Sequence, residues 1–531
     1  MGLIVLDRRF RPTRRRKTRS VLWSLVSTLL LFQSCGMPIV KPDARDPDVL
    51  HRLPLPGAFL TVDEAAEYRL DPGFQWMAIS AETPALTFAG LREKGGGVQY
   101  VLVVESNPAD DRLLVLPLPD GVTPLSVTSD PVLRTRWAER HRQAVAGVLE
   151  EGSLLDLSLR GVVEGRRLAP PIPTPGRVFA VAANFPSHLS EDLAISGPDA
   201  VTALSRARPR VFQKYPPLTP IKGGMPSAEF ITGVIGPFDE MGYPARIKVP
   251  IAGDDGSPID VETVVDYEAE IGVVLGYRLD WSGIRGKSDE DLMEAIAGVV
   301  LVSDAKARNP QVVGKIQQID RPLPEVTDPY LTGNEALDRA LGPWDADTCR
   351  WWGYAASWGN FAAIGPYFVS GPVGAPLLPR MLVSARSYGP AAVRDAGIPE
   401  DRDPGVFYLR QATVVTNERG YPDAMIWGVP DIIRSILAPD SALRDGDREM
   451  VLEPGDVIAL GTPGGTVITS RPSALLETAE DVLFWWDPID WHDAFFNRNK
   501  ALYLRPGDEV FFWSEGLGCQ RLVIRRMPAL D

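Results

Sequence analysis

Two glutamates in one short apolar stretch are the first residues whose spacing suggests chemistry. Glu268 and Glu270 lie in the run 264–276, which is rich in β-branched residues, ends at a glycine and is therefore predicted to be a strand. Side chains alternate between the two faces of a strand, so both carboxylates point the same way. A hard divalent cation (Mg²⁺, Mn²⁺ or Ca²⁺) would relieve their mutual repulsion. The alternative is an edge strand that shows both glutamates to solvent.

A third carboxylate comes from a second apolar run. Asp304 follows the segment 299–302, which is predicted to be a strand, and its side chain could supply a further oxygen ligand beside Glu268 and Glu270. The alternative is that Asp304 caps a turn or a helix.

A histidine with a nearby acid provides a candidate base. His188 and Glu191 are three residues apart, so on a helical turn their side chains are neighbours. A carboxylate fixes the tautomer of an imidazole and raises its basicity, as a general base requires. The alternative is a surface His–Glu pair. The chain has four histidines, so candidates for such a base are few.

A glycine-rich loop follows a predicted turn and strand at 452–465. It presents Thr462 together with backbone N–H groups, and these could bind a carboxylate or an enolate. The alternative is a tight turn with a structural role.

Composition narrows the class of protein. The chain has 531 residues, 45% of them hydrophobic, which is enough for two or more domains and a large core. Its 49 prolines and 48 glycines favour strands and loops over a helical bundle. The net charge is −14 and the body of the chain has no basic patch, so nucleic-acid binding is excluded as a function.

The N-terminus has the pattern of an export signal. Eight Lys or Arg residues and one acid in positions 1–20 precede a largely apolar run at 21–32, which is too short to span a bilayer. We predict a lipoprotein-type signal peptide over 1–35, with Cys35 lipidated after cleavage and the protein anchored to a membrane of the cell envelope. Secretion into the periplasm and a short uncleaved anchor are the alternatives. Cys349 and Cys519 then either pair or remain as two buried thiols.

Turn signals and composition divide the rest of the chain. Residues 36–80 are rich in proline and charge and are predicted to be a tether. Residues 81–167 are predicted to form a small N-terminal domain, with a hairpin turn at 94–97 and a helix over 131–150. Residues 168–531 form the predicted catalytic domain.

Five segments, in this order, resemble the fumarylacetoacetate hydrolase family. The family's Asn-Tyr-x-x-His-x-x-Glu is similar to 184–191, and its Phe-x-Lys to 212–214. Its Asp-Tyr-Glu-x-Glu strand matches 266–270, and its Asn-Asp-x-x-x-Arg element is similar to 303–308. Its Glu-Pro-Gly-Asp-x-Ile-x-x-Gly-Thr-Pro matches 453–463.

The resemblance implies a fold. It is a mixed, β-rich α+β architecture, in which a β-roll or barrel forms the C-terminal domain and a small α+β domain packs on it. The segments near 225–260, 311–350 and 468–500 would be insertions. A homodimer is also implied.

The resemblance also implies an activity. The protein would be a hydrolase that depends on Mg²⁺ (or on Mn²⁺ or Ca²⁺) and cleaves a C–C bond in a small 1,3-dicarbonyl, acylpyruvate-like or oxo acid. Decarboxylation of a 2-oxo acid, isomerisation of an enol and non-catalytic binding are the alternatives. The residues assigned are catalytic His188 and Glu191, metal ligands Glu268, Glu270 and Asp304, and substrate-binding Lys214, Lys306, Arg308, Gln311 and Thr462.

The chain departs from the family at one charged position. Ala356 stands where the family has a lysine, and Gly359 where it has an aspartate. Lys214, Lys306 and Arg308 are the cations nearest to the site that could replace the lost charge. A Trp-rich segment at 484–493 either caps a larger substrate or packs within the protein or at a subunit interface.

Overall fold

The structure is a computed structural model, and it describes most of the chain between residues 69 and 527. The described ranges are 69–70, 72, 74–81, 85–150, 152–173, 176–193, 198–215, 233–252, 258–311, 328–358, 360–371, 378, 380–390, 405–418, 423–444, 448–465 and 503–527. The predicted signal peptide, Cys35 and the Trp-rich segment lie outside the described residues. The predictions of export and lipidation therefore stay predictions. The tether stays a prediction for the undescribed part of 36–80 and is wrong for its end, because β1 (Arg69–Leu70) pairs with another strand of the folded body and Trp76 and Met77 are buried.

The strands are numbered in chain order. They are β1 (Arg69–Leu70), β2 (Thr87–Arg92), β3 (Val98–Asn107), β4 (Arg112–Pro117), β5 (Leu155–Ser158), β6 (Leu168–Ala169), β7 (Val178–Ala182), β8 (Arg210–Tyr215), β9 (Val234–Ile235), β10 (Glu240–Tyr243), β11 (Arg246–Ala252), β12 (Pro258–Glu262), β13 (Val265–Asp266), β14 (Ala269–Leu275), β15 (Leu279–Asp280), β16 (Ile296–Ser303), β17 (Lys306–Ala307), β18 (Ala362–Ser370), β19 (Arg380–Ser387), β20 (Phe407–Val415), β21 (Val451–Leu452), β22 (Val457–Ala459), β23 (Glu509–Ser514) and β24 (Gly518–Arg526).

The helices lie between these strands, and most of them are short. They are a 3₁₀ turn (Phe74–Met77), α1 (Pro124–Ser129), α2 (Pro131–Val145), α3 (Leu159–Glu164), α4 (Pro186–Leu193), α5 (Pro198–Leu204), α6 (Trp281–Ile284), α7 (Asp289–Met293), α8 (Glu335–Leu341), α9 (Ala346–Ala356) and α10 (Val429–Leu437). No described helix is both long enough and apolar enough to cross a membrane.

The larger of the two main sheets has twelve strands. Its main path runs β5-β4-β3-β2-β18-β16-β14-β22-β7-β8, with β6 attached to β2 and β9 to β18. Most neighbours are antiparallel, and β22 runs parallel to β7. The central strands β14 and β16 are buried along their whole length, which explains why their sequences are almost continuous apolar runs.

The N-terminal strands belong to this same sheet. Phe88 of β2 pairs with Phe368 of β18, and Thr87 pairs with Val369. The predicted turn at 94–97 does connect β2 to β3. The sheet is therefore continuous across residue 168, where the sequence places a boundary, and the division into two domains stays a prediction.

A second sheet of six strands packs against the first. Its order is β1-β20-β19-β23-β24-β10. The side-chain amide of Gln520 in β24 donates to the carbonyls of Leu301 and Gly365, at 2.9 Å each, and so joins the two sheets. The rings of Tyr267 and Phe512 meet between the sheets, with centroids 6.1 Å apart. The mixed, sheet-rich fold is thus confirmed, and the described strands form no closed barrel.

The predicted strand over 264–276 is interrupted. Tyr267 and Glu268 lie between β13 and β14 and belong to neither strand. The backbone changes partner at this point, because β13 pairs with β17 whereas β14 pairs with β16 and β22. The prediction of one continuous strand is wrong over these two residues.

Both described cysteines are buried free thiols. Neither Cys349 nor Cys519 is in a disulfide, so the second of the two alternatives holds. Burial raises the pKa of the Cys349 thiol to about 12, which leaves it protonated and unreactive at neutral pH.

Candidate metal centre

Antiparallel pairing of β14 with β16 brings the three predicted metal ligands together. Glu270 lies in β14, Glu268 precedes that strand, and Asp304 follows β16. Ala269 pairs with Ser303, and the N–H of Asp304 donates to the carbonyl of Glu268 at 2.9 Å. Each ligand residue offers a carboxylate oxygen within 4.8 Å of the other two, and all three side chains are fully buried. The alternative of glutamates that face solvent is therefore wrong.

Three buried cations compensate these carboxylates. The Lys306 ammonium contacts Glu268 and lies 2.8 Å from Asp304 Oδ2. Lys214 Nζ lies 2.5 Å from Asp304 Oδ1. The guanidinium of Arg308 pairs with the other oxygen of Glu268. Ion pairs therefore hold the cluster together. These three cations are the ones that the sequence analysis names as possible replacements for the missing family lysine.

A further acid and an amide surround the arginine. Nε and Nη2 of Arg308 lie 3.0 Å and 2.7 Å from Asp266 Oδ2. Nη1 of Arg308 donates to Gln311 Oε1 at 2.8 Å. The structure therefore places Arg308 and Gln311 beside the cluster, where their side chains are hydrogen-bonded to each other. Their predicted contacts with a substrate stay predictions.

The pKa values of two acids in the cluster shift in opposite directions. Burial raises the pKa of Glu270 well above its usual range, and the charges of Asp304 and Glu268 add to that rise. Burial would also raise the pKa of Asp304, but Lys214 and Lys306 outweigh it and hold this pKa below its usual range. Of these two acids, Glu270 is the one whose negative charge the surrounding protein compensates less.

The donor set fits a hard divalent cation. Glu270 Oε2 accepts the N–H of Gly461 at 2.8 Å, whereas Glu270 Oε1 is buried and has no hydrogen-bond partner among the described residues. A buried oxygen without a donor is costly, and a cation would satisfy it. Glu268, Glu270 and Asp304 would hold the ion through oxygens, the ligands that Mg²⁺, Mn²⁺ and Ca²⁺ prefer. That a metal binds here, and which metal it is, both stay predictions.

The predicted base lies in a helix that starts beside the glycine-rich loop. His188 is in α4 and is 9% exposed. Asn184, just before the helix, donates from its side-chain amide to the carbonyl of Leu460 at 2.7 Å and accepts the N–H of Trp427 at 2.8 Å. These bonds fix where the helix begins. Glu191 is in the same helix, but its side chain lies outside the described ones, so its role stays a prediction.

A buried aspartate that the sequence analysis missed supports the same helix. Asp423 accepts the N–H of Ser187 at 2.9 Å and its hydroxyl at 2.7 Å. The hydroxyl of Ser187 also accepts the N–H of Gly464 at 2.7 Å. Burial raises the pKa of Asp423 to about 6. Asp423 therefore holds the residue before His188 against the glycine-rich loop.

The glycine-rich loop connects the carboxylate cluster to the His188 segment. Gly461, whose N–H bonds to Glu270, has a φ of 94°, and a Cβ there would lie 2.9 Å from Asn184 Cβ. Only glycine fits such a position. The hydroxyl of Thr462 accepts from the side-chain amide of Gln411 at 2.8 Å. Gln411 was also missed, and its only signal is a polar residue within the largely apolar strand β20. Substrate binding by Thr462 stays a prediction.

The position of the missing family lysine is close to the cluster. Ala356 ends α9 and is fully buried. The hydroxyl of the next residue, Ser357, donates to the carbonyl of Lys214. The end of α9 therefore lies against the strand that carries Lys214. Gly359, the second departure, lies outside the described residues.

Comparisons with known proteins identify the family to which the chain belongs. The family described as Fumarylacetoacetate (FAA) hydrolase C-terminal matches residues 177–322 and 329–525, which is more than half of the chain. No curated protein matches the chain. Similar solved structures include Cg1458 with an inhibitor (TM-score 0.43, 17% identity), which covers 83% of this chain and 100% of its own.

Two others have named activities and known organisms. One is a 2-hydroxyhepta-2,4-diene-1,7-dioate isomerase from Mycobacterium marinum, with a TM-score of 0.41, 16% identity, and coverage of 84% of this chain and 100% of that one. The other is a fumarylacetoacetate hydrolase from psychrophilic Exiguobacterium antarcticum, with a TM-score of 0.42, 16% identity, and coverage of 83% and 100%. Because the family match covers more than half of the chain, the chain belongs to the fumarylacetoacetate hydrolase family.

Proposed function

We propose that the protein is a metal-dependent enzyme that hydrolyses a C–C bond in a small 1,3-dicarbonyl acid. The observation that carries the proposal is the convergence of three fully buried carboxylates, Glu268, Glu270 and Asp304, one of which keeps an oxygen without a donor among the described residues. The cost of burying such a cluster without a ligand favours a binding function over a purely structural one.

Each part of the site would have a separate task. A divalent cation, when bound, would polarise a substrate carbonyl and stabilise the negative charge that develops on its oxygen. His188 would accept a proton from water as the water oxygen bonds to the carbonyl carbon. The C–C bond then breaks, its electron pair stays with the departing carbon, and the imidazolium returns the proton to that carbon. One molecule of water is consumed, and an acid and a ketone are formed.

Charged groups beside the cluster suit an acidic substrate. Lys214 and Lys306 are buried at the carboxylates, and Arg308 pairs with Glu268. Ammonium groups so close to the candidate ligands would attract the carboxylate of a substrate once a metal compensates the negative charge of Glu268, Glu270 and Asp304. This supports a 2-oxo or 1,3-dicarbonyl acid over a neutral ketone.

The test separates metal binding from the reaction. We expect purified protein to retain a divalent metal and the Glu268→Ala/Glu270→Ala variant to retain none, measured by elemental analysis. Turnover of acylpyruvates and of oxaloacetate, with and without Mg²⁺, distinguishes hydrolysis from decarboxylation. Product analysis by NMR distinguishes both from isomerisation.

A matched pair of histidine variants tests the base. His188→Ala is expected to lower kcat by about 10²–10⁴-fold. His141 in α2 is equally buried at 9% exposed, and His141→Gln is expected to leave kcat within a factor of two or three of wild type. Equal kcat values for His188→Ala and wild type would refute the assigned role. Absence of metal from both wild type and the double Glu variant would refute the metal centre.

A further inference from the structure

The ammonium of Lys306 lies among the residues that would bind a metal. It contacts Glu268 Oε2 and lies 2.8 Å from Asp304 Oδ2, and these carboxylates are two of the three candidate ligands. The Lys306 side chain is 5% exposed, so water contributes little to its charge balance. The lysine therefore competes for the oxygens that a cation would use.

Lys306 differs from the other two cations in how fully it depends on the candidate ligands. Arg308 also pairs with Asp266, and Lys214 also donates to the carbonyl of Ala305 at 3.0 Å. Both ion pairs of Lys306, in contrast, are with Glu268 and Asp304. Among the described residues, Lys306 also lies over the ring of Phe212, with its Nζ 5.6 Å from the ring centroid.

The charge count of the buried cluster limits what can enter it. The acids are Asp266, Glu268, Glu270 and Asp304, and the bases are Lys214, Lys306 and Arg308. With every group ionised, the cluster carries one negative charge. A divalent cation would make the net charge positive, and like charges in a medium of low dielectric constant repel strongly. A metal therefore enters more easily if one of the three basic side chains moves away from the carboxylates.

We propose that Lys306 is a built-in counter-ion that holds the carboxylates together in the absence of metal and lowers their affinity for divalent cations. Its backbone is fixed by pairing of β17 with β13, but the flexible side chain can withdraw toward the face of Phe212, where a cation is still stabilised. The inference deepens the proposed function and rests on it, because it concerns the same three ligands.

The test measures metal affinity and does not depend on catalysis. Lys306→Met should bind Mn²⁺ about tenfold more tightly than wild type or better, in calorimetric titrations of chelator-treated protein. Lys94→Met, in the exposed turn between β2 and β3, is the matched control and should bind as wild type does. Equal or weaker Mn²⁺ binding by Lys306→Met would overturn the proposal.

A second readout covers the case in which the variant is unstable. Without a counter-ion, the metal-free Lys306→Met protein should unfold at a lower temperature, and Mn²⁺ should raise its Tm more than it raises that of wild type. Lys306→Gln, which keeps neutral donors, should show the same order. Failure of both variants to fold even with Mn²⁺ would also overturn the proposal, because it requires that a metal replace the charge of the ammonium.

The outcome can be separated from that of the proposed function. If Lys306→Met binds Mn²⁺ more tightly while wild type turns over no oxo acid, the proposed reaction fails and the role of Lys306 stands. If the tighter binding persists when Glu268 and Glu270 are also replaced by alanine, the metal binds elsewhere and the inference about Lys306 fails.

Discussion

Two buried aspartates show how the groups around a carboxylate decide its chemistry. Asp304 contacts the ammonium groups of Lys214 and Lys306, whereas Asp423 accepts hydrogen bonds from neutral groups, chiefly those of Ser187. Burial alone would raise the pKa of both. The lysines hold the pKa of Asp304 below its usual range, and the pKa of Asp423 rises to about 6. Neutral donors therefore satisfy the oxygens of a carboxylate without fully compensating its charge.

The largest effect is expected where charge compensates charge. Asp304→Asn would leave Lys214 beside a neutral amide and remove one of the two ion pairs of Lys306. Breaking a buried ion pair typically lowers the free energy of unfolding by about 3–5 kcal/mol. Chemical denaturation of chelator-treated protein at pH 7 measures this loss. A loss below about 1 kcal/mol would show that the lysines do not depend on Asp304.

An intermediate and pH-dependent effect is expected where neutral groups surround the carboxylate. The pKa of Asp423 in the folded protein is about 6, above its unfolded value of 3.8. The folded state then binds the proton more tightly, so the stability that Asp423 contributes is fully present below its unfolded pKa and is lost as pH rises through 6. Relative to Asp423→Asn, wild type should lose about 2–3 kcal/mol of unfolding free energy between pH 4 and pH 8.

The control for this pH effect is the variant itself. Asparagine does not titrate, so denaturation curves of both proteins at several pH values isolate the contribution of Asp423. A stability difference that is constant with pH would mean that Asp423 titrates alike in the folded and unfolded states.

The smallest effect is expected at the surface. Asp260 pairs with Arg246 at 3.2 Å, but their side chains are 55% and 58% exposed. Water already solvates both charges, so Asp260→Asn should change the free energy of unfolding by less than about 0.5 kcal/mol. A loss comparable to that of Asp304→Asn would mean that burial does not separate the two sites. The same denaturation assay compares all three Asp→Asn variants directly.

The convergence of the three candidate metal ligands could be predicted from the sequence because local patterns indicate it. Glu268 and Glu270 have the spacing of alternate residues in a predicted strand, although only Glu270 lies in β14. Asp304 follows an apolar run, β16, that pairs with β14. The break at Tyr267 was not predictable, because the change of pairing partner that causes it depends on residues far away in the chain. The sheet-rich class followed from short apolar runs separated by glycine and proline.

The groups around the ligands were harder to predict. Lys214 is 90 residues from Asp304, and no spacing rule indicates that its ammonium reaches that carboxylate. Asp423 is 236 residues from Ser187 and belongs to no motif that carries chemistry. Lys306 is close to Asp304 in sequence, but its bond to Glu268 depends on the pairing of β17 with β13. Three-dimensional contacts decide these partners, and sequence patterns record only local periodicity.

The pairing of β2 with β18 has a consequence for solubility. Phe368 and Val369 lie between β16 on one side and β2 on the other. If the first 167 residues were cut away, the N–H and C=O groups of β18 on that side would face solvent as an open, apolar edge. Such edges recruit strands from other molecules. By covering this edge of β18, the N-terminal segment is therefore expected to prevent self-association of the core sheet.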